Sequence, residues 1–357
     1  MRTELTPSPG SPAAEGFRMP AEWERHEGTW LSWPHKEASW PGRFERIPPI
    51  WVEMVRALCP AEAVHILVNE AAPPAVVRRQ LAAAGVPLSA VHLHEVATDD
   101  AWMRDHGPTF ITRGEEFALV DWIYNAWGGK YPPWQCDDAV PRALAERLGA
   151  ARFAPGIVLE GGSIDVDGEG TLLTTEQCLL NPNRNPRHSR ADIEQALCDH
   201  LGVRRVLWLG QGIAGDDTDG HIDDLTRFVG PATVVTAVED DPADPNYAPL
   251  QDNLRRLREL RDAADRPLRV VTLPMPVPVE HEGQRLPASY ANFYIGNGAV
   301  LVPTFDCTRD TEVLSTLAAL FPGRCAVAIP ARDLVWGLGA CHCVTQQQPW
   351  APRPARA

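Results

Sequence analysis

The strongest constraint on this chain is an alternation. Apolar or β-branched runs of strand length recur at Val64–Val68, Ala90–Val96, Phe117–Ile123, Thr171–Thr174, Arg205–Leu209, Ala232–Val238, Leu268–Leu273, Ala299–Val302 and Ala326–Ile329. Between several of them apolar residues return at helical spacing: Ile50–Leu58, Ala75–Ala84, Ala139–Leu148, Arg190–Leu201, Leu250–Ala264 and Thr311–Leu320. Asp310 before Thr311, with Glu312, and Asp137 or Asp138 before Ala139 are N-terminal helix signals. The pattern predicts an α/β or α+β domain. Periodicity leaves open whether the strands form one open sheet, a barrel or a ring of small sheets.

The 357 residues, 44% of them hydrophobic, can bury a substantial core, and no Pro- or Gly-rich linker divides them into halves. Residues 1–18 are rich in Pro, Ser, Gly and Ala without apolar periodicity and read as a disordered leader; 349–357 read as a disordered tail. One domain is expected over 19–348. The formal charge of −14 argues against nucleic acid or an anionic membrane as partner and suits a cationic substrate. There is no membrane-length apolar stretch and no basic-then-apolar leader, so the expected location is the cytoplasm. The 8 cysteines include no CxxC pair and read as reduced thiols.

Chemistry concentrates in the polar, Gly-containing segments between the runs. Gly337 to Gln347 places Cys341, His342 and Cys343 after a glycine turn. Extended backbone would put both thiols on one face and His342 on the other, so a base for either cysteine must come from elsewhere. Asp216 to Asp224 supplies His221 beside Gly220, among carboxylates that repel one another unless a cation, a metal or a guanidinium neutralises some. A Ca²⁺ loop begun at Asp217 fails, because its twelfth position is Phe228. His92 and His94 would share a strand face, and no role is assigned to them. Trp102 to Pro108 holds Asp105 between an Arg and a Gly-Pro turn, and Leu159 to Ser163 presents Glu160 at a tight turn. Taken singly, each of these reads equally well as a structural ion pair, a solvated acidic loop or a buried thiol.

Taken together they resemble the agmatine deiminase family of guanidino-group-modifying enzymes, related to bacterial-type peptidylarginine deiminase. The matching blocks are Met19-Pro20-Ala21-Glu22-Trp23, Trp102 to Pro108, Asn125 to Tyr131, Glu160-Gly161-Gly162, Thr218 to Asp223, Pro287 to Tyr290 with Asn292-Phe293-Tyr294, and His342 to Gln347. They occur in the family's order and cover residues 19 to 348. The resemblance implies a pentein fold, a five-bladed α/β propeller with pseudo-fivefold symmetry, and a hydrolase acting on the C–N bonds of linear amidines without metal or cofactor. It implies Cys343 as nucleophile, His221 as general acid and base, Asp105 and Asp223 as the guanidinium-gripping carboxylates, and Glu160 as a further carboxylate. Trp102, Asp217, Trp127 and Gly339 are the expected substrate-binding residues. The implied reaction converts agmatine to N-carbamoylputrescine and ammonia, towards putrescine and polyamines, through a covalent thiouronium. A homo-oligomer is compatible with it.

Several positions depart from the family's usual residues, in the lead Gly337-Leu338-Gly339-Ala340-Cys341 to the nucleophile and elsewhere. Leu338 stands in a glycine run before the nucleophile, Asp217 replaces a Glu, and His106 and Asp224 are unusual at their places. The alternatives are a deiminase or amidinotransferase acting on arginine, a modified arginine or peptidyl-arginine, or a non-catalytic binder of guanidines or polyamines.

Overall fold

A computed structural model describes residues 4–351. Five of its sheets share one wiring, in which a strand pairs antiparallel with the next, and that strand is followed by a helix and a third, parallel strand. The first set is Thr109–Arg113, Glu116–Val120, helix Val140–Leu148 and Ala151–Phe153. The second is Asp165–Val166, Thr171–Thr175, helix Arg190–Leu201 and Arg205–Leu209. The third is Thr226–Gly230, Thr233–Val238, helix Tyr247–Glu259 and Arg269–Pro274. The fourth is Tyr294–Ile295, Ala299–Thr304, helix Arg309–Leu320 and Cys325–Pro330. The fifth joins the two ends of the chain: Thr345–Pro349 pairs with His26–Ser32, which continues through helix Ile47–Leu58 to Ala63–Val68, with Val91–Glu95 added at the edge. The α/β expectation holds, with five like sheets instead of one open sheet.

The local reasons are ordinary ones. Helix Ile47–Leu58 begins three residues before the expected Ile50 because Pro48 and Pro49 sit in its first turn, where no N–H is missed. Ser189 and Asp192 close a reciprocal cap on helix Arg190–Leu201, and Gly202 ends it in the left-handed conformation. The middle strands Thr171–Thr175, Thr233–Val238 and Ala299–Thr304 are buried along most of their length, whereas the outer parallel strands Ala151–Phe153, Arg269–Pro274 and Cys325–Pro330 are half-buried or exposed.

One expectation is corrected. Residues 4–18 are not a disordered leader: they run in turns along the second sheet's helix, with Leu5 N–H donating to Arg204 O at 3.0 Å and Ser8 N–H to Asp199 Oδ1 at 2.7 Å. Phe17 is buried with Met19, Ile193 and Leu197. A few apolar anchors were enough to dock a segment whose average composition is that of a linker. The expected tail likewise begins inside a strand, since Pro349 pairs with His26, and its remainder 352–357 lies outside the described residues, as do 1–3. Among the described residues no helix is long and apolar enough to cross a membrane.

Candidate active site

Each chemistry-bearing segment lies immediately before the first strand of a sheet. The short helix Met103–His106 precedes Thr109–Arg113, the turn Gly161–Ser163 precedes Asp165–Val166, and Ile222–Asp224 precedes Thr226–Gly230. Ser289 to Phe293 leads into Tyr294–Ile295, and the turn 341–344 into Thr345–Pro349. Equivalent places in five like sheets thus deliver residues scattered from Met103 to Val344 to one locus. The loops also bind one another: Arg104 N–H donates to Cys343 O at 3.1 Å, and Gly162 N–H to Asp105 Oδ1 at 2.9 Å.

The glycine pair after Glu160 makes this convergence possible. A Cβ at Gly161 would stand 2.1 Å from Arg104 O, and one at Gly162 would stand 2.6 Å from His221 Nδ1, 2.8 Å from Asp105 Oδ1 and 3.0 Å from Asp223 Oδ2. Only bare backbone can pass between these three side chains.

His221 is 1% exposed and ringed by carboxylates. Its Nδ1 lies 3.8 Å from Asp105 Oδ1 and 4.0 Å from Asp223 Oδ1, and its Nε2 lies 3.9 Å from Glu160 Oε2. None of these is a hydrogen bond: both ring nitrogens, Asp223 Oδ1 and Glu160 Oε2 are buried without a partner. Burial disfavours the imidazolium, but Asp105, the Cys178 thiol and Glu160 outweigh it and hold the ring well above the ordinary histidine value. Asp105 accepts from Trp127 Nε1 at 2.9 Å; burial pushes its carboxyl up to about 6, with His221 opposing and Asp223 and Glu160 adding to the rise. For Asp223 burial is outweighed by the hydrogen bond from His342, and for Glu160 by the charge of Arg184, so both stay below the usual carboxylate range.

Cys343 Sγ is 3.8 Å from Asp223 Oδ2 and accepts from Asn292 Nδ2 at 3.1 Å. Burial, then Asp223, Asp224 and Asp105, push the free thiol well above its normal value. The sulfur opens on a cavity of about 460 Å³ that Asp105, Trp102, Trp127, Asp217 and Gly339 also line. A Cβ on Gly339 would meet the Trp102 ring at 2.5 Å and Cys343 Cβ at 3.0 Å, so glycine lets the loop close on Cys343. All nine residues singled out in the sequence are therefore within this locus or on the cavity that leads to it.

The extended reading of the Cys341 to Cys343 segment is corrected: it is a turn, with Cys341 sealed in the core and only Cys343 facing the cavity. His342 points away from the sulfur, as expected, but into a buried charge network with Asp223 and Glu22. The acidic run 216–224 is neutralised piecemeal. Asp216 accepts from Thr218 and Gly220 N–H, Asp219 pairs with Lys130 at 3.0 Å and Arg184 at 2.8 Å, and Asp217 accepts from the Tyr131 hydroxyl.

Sequence reasoning missed Arg184, whose guanidinium is fully buried, binds Glu160 Oε1 at 2.6 Å and donates to Thr218 O at 2.9 Å. The polar Asn-Pro-Asn-Arg-Asn-Pro run at 181–186 was the available signal. It also missed Cys178, fixed behind His221 by its N–H bond to Thr175 Oγ1. Glu160, Cys178 and His221 present donor atoms within 4.8 Å of one another, the one such cluster among the described residues. Arg184 against Glu160 already supplies the positive charge that a metal would bring there.

The family model described as Porphyromonas-type peptidyl-arginine deiminase matches residues 18–349. The chain is 42% identical to an agmatine deiminase of Ectopseudomonas mendocina, over 97% of this chain and 98% of that one. The solved agmatine deiminase of Enterococcus faecalis superposes with a TM-score of 0.90 at 35% identity, covering 97% of this chain and all of that one. A substrate-bound agmatine deiminase of C. jejuni superposes at 0.86 with 29% identity, over 94% of this chain and 97% of the other. An amidinotransferase of Microseira wollei, at 12% identity and a TM-score of 0.51, shares the fold alone. With family match, relatives and fold in agreement along nearly the whole length, the chain belongs to the Porphyromonas-type peptidyl-arginine deiminase family and groups there with the agmatine deiminases.

Proposed function

We propose that the protein hydrolyses the guanidine of agmatine, with Cys343 as nucleophile, His221 as general acid and base, and Asp105, Asp223 and Glu160 as the carboxylates around the reacting group. The observation that carries this reading is the set of buried, unpartnered atoms at one point: His221 Nδ1 and Nε2, Asp223 Oδ1 and Glu160 Oε2. Leaving such an atom unsatisfied costs about 1–3 kcal/mol. A guanidinium, planar and always charged, offers a fork of donors that meets Asp223 Oδ1, Glu160 Oε2 and Asp105 together, while the His221 ring faces the same point as a proton donor.

The bound cation also offsets the carboxylates that hold Cys343 as a thiol, so thiolate forms beside it. The thiolate adds to the guanidinium carbon and gives a neutral tetrahedral adduct. The His221 imidazolium donates its proton to one NH₂, the C–N bond breaks, and ammonia leaves a cationic S-alkylthiouronium and neutral His221. Neutral His221 then takes a proton from water as the oxygen adds to that carbon. The C–S bond breaks, the hydroxyl proton passes to solvent, where it balances the released ammonia, and N-carbamoylputrescine, thiolate and imidazolium result. The raised affinity of His221 for its proton suits the first half of this cycle. Asp217, on the cavity wall, is a partner for the distal ammonium, and Trp102 and Trp127 flank the methylene chain.

The same proposal takes residues 19–348 as one catalytic unit, with the five like sheets as blades of a ring. It places the enzyme in the cytoplasm, supported by a nucleophile that must remain reduced, and gives it a small cationic substrate.

The test is ammonia release by purified protein on agmatine, arginine, a peptidyl arginine and longer guanidino-amines, with Cys343→Ala as control. Activity on agmatine that the control lacks is expected. Turnover of another guanidine in its place would move the substrate, and silence on the whole panel would overturn the reading.

A further inference from the structure

The reactive sulfur faces acids on nearly every side. Asp223 and Asp224 come from the loop before Thr226–Gly230, and Asp105 from the short helix Met103–His106, with His221 and Glu160 beyond them. One neutral donor breaks this ring: Asn292, fully buried at the end of the Ser289 to Phe293 loop, a segment to which the reaction above gives no part.

The orientation of its amide follows from its neighbours. The oxygen lies 2.9 Å from His342 N–H and 3.4 Å from Cys343 N–H, both of which can only donate. The nitrogen must therefore face the other way, where one N–H reaches Cys343 Sγ at 3.1 Å and the second reaches Asp224 Oδ1 at 2.9 Å. Every hydrogen-bonding position of the amide is used, so it cannot turn. The loop is braced as well, since Ser289 Oγ donates to Asp224 O at 2.7 Å and accepts from Ala291 N–H at 3.1 Å.

We propose that Asn292 is a further catalytic residue, whose side-chain N–H holds the Cys343 sulfur and stabilises it as an anion, with Asp224 as the positioning residue that aims this donor. A hydrogen bond to an ionised acceptor is roughly twice as strong as one to a neutral group, so the contact favours thiolate over thiol. Asp224 keeps the donor pointed at the sulfur between turnovers, at the cost of a carboxyl group close to the nucleophile.

The inference rests on Cys343 being the nucleophile, and its test does not use turnover. Alkylation by iodoacetamide is followed at fixed pH between 7 and 9, without substrate, by mass spectrometry of the peptide that carries Cys343, because the exposed Cys325 also reacts. Loss of the donor in Asn292→Ala is expected to raise the thiol pKa by about one unit, a roughly tenfold loss of thiolate. The more basic sulfur is also more reactive, with a Brønsted slope of about 0.4–0.5, so the net rate should fall about three- to fourfold. Asn292→Asp keeps the shape and the oxygen that receives the two backbone N–H groups while removing the donor, and should be slower still. It also serves if the alanine variant fails to fold or opens the site to reagent. An unchanged or faster rate in folded Asn292→Asp would overturn the proposal and leave Asn292 a purely structural brace. Failure of the deiminase reading would show separately, as wild-type protein that releases no ammonia while the alkylation difference persists.

Discussion

His342 and Asp223 are joined at 2.7 Å, Nδ1 to Oδ2, while the other face of the same ring meets Glu22 Oε2 at 2.9 Å. Glu22 in turn binds Arg104 at 3.2 Å and Arg227 at 2.9 Å, so Asp223, proposed above to grip the guanidinium, is anchored to a buried network that reaches the first residues of the matched region. With Oδ2 held, Oδ1 is left unpartnered, 4.0 Å from His221 Nδ1. His342→Gln should lose a charge-assisted hydrogen bond of about 1.5–3 kcal/mol and lower kcat/KM on agmatine roughly 10- to 100-fold. Steady-state ammonia release measures it, and wild-type kcat/KM in the variant would remove His342 from the positioning of Asp223.

This network shows what a single sequence discloses and what it hides. Most of the parallel strands were legible because they are apolar: Arg205–Leu209 is read to the residue, and Val64–Val68 is one residue short of the observed Ala63–Val68, whereas the short Ala151–Phe153 and the mixed His26–Ser32 were not read. The first strand of each sheet was not. Thr345–Pro349 is Thr-Gln-Gln-Gln-Pro, yet all five residues are buried, with Gln346 donating to Pro108 O at 2.7 Å, Gln347 accepting from Arg104 at 2.8 Å and Gln348 from Trp30 at 2.8 Å. Buried polar side chains hydrogen-bonded across the fold leave no period-2 signal. The site residues were legible as motifs because they lie in loops of unusual composition. Arg184 and Cys178 act on Glu160 and His221 only through the folded chain, and no local pattern announces that.

In the proposed mechanism Asp105 must be ionised to grip a guanidinium, and its carboxyl is pushed up to about 6. For a group required in its charged form, kcat/KM should therefore fall as pH drops through about 6 in the free enzyme. Trp127 Nε1 donates to the Oδ2 of this carboxylate and favours its charged form. Trp127→Phe should move the acid limb upward by roughly one pH unit. A pH profile of kcat/KM for both proteins decides it: coincident limbs would mean that another group sets the acid side.

Leu338 lines the cavity with φ 70° and ψ 20°, a left-handed conformation that costs a residue with a Cβ about 1–2 kcal/mol. Strain of this kind on the wall of the cavity that Cys343 shares points to a side chain that shapes that wall. Leu338→Gly should widen the wall next to Trp336 and Gly339 and lower the preference for agmatine over arginine about tenfold, the scale of a hydrophobic fit of one or two methylenes. The ratio of kcat/KM on the two substrates is the measurement. An unchanged ratio would assign specificity to Asp217 and the tryptophans instead.

Far from the cavity, His65 and His94 share a hydrogen bond, Nδ1 to Nε2 at 2.9 Å, and His65 stacks on Trp30 with ring centroids 4.4 Å apart. Burial, then repulsion from His94 and His92, lowers His65 to about 3; burial, then Arg147 and His92, lowers His94 to about 4. Both folded values lie below the unfolded value of about 6.5, so on acidification the unfolded chain takes up protons first. The stability that the neutral pair contributes is whole above pH 6.5 and drains away as pH falls toward 4. Asp105 and Asp165, both pushed up to about 6, act in the opposite sense, but they do so equally in wild type and in His65→Phe. The phenylalanine keeps the stack on Trp30 and removes the proton acceptor. Between pH 7 and 4.5 the variant should lose less stability than wild type, by about 2 kcal/mol. Urea melts are the suitable assay, because guanidinium would itself enter the site. Parallel losses in the two proteins would show that the histidine pair is not the acid-sensitive element.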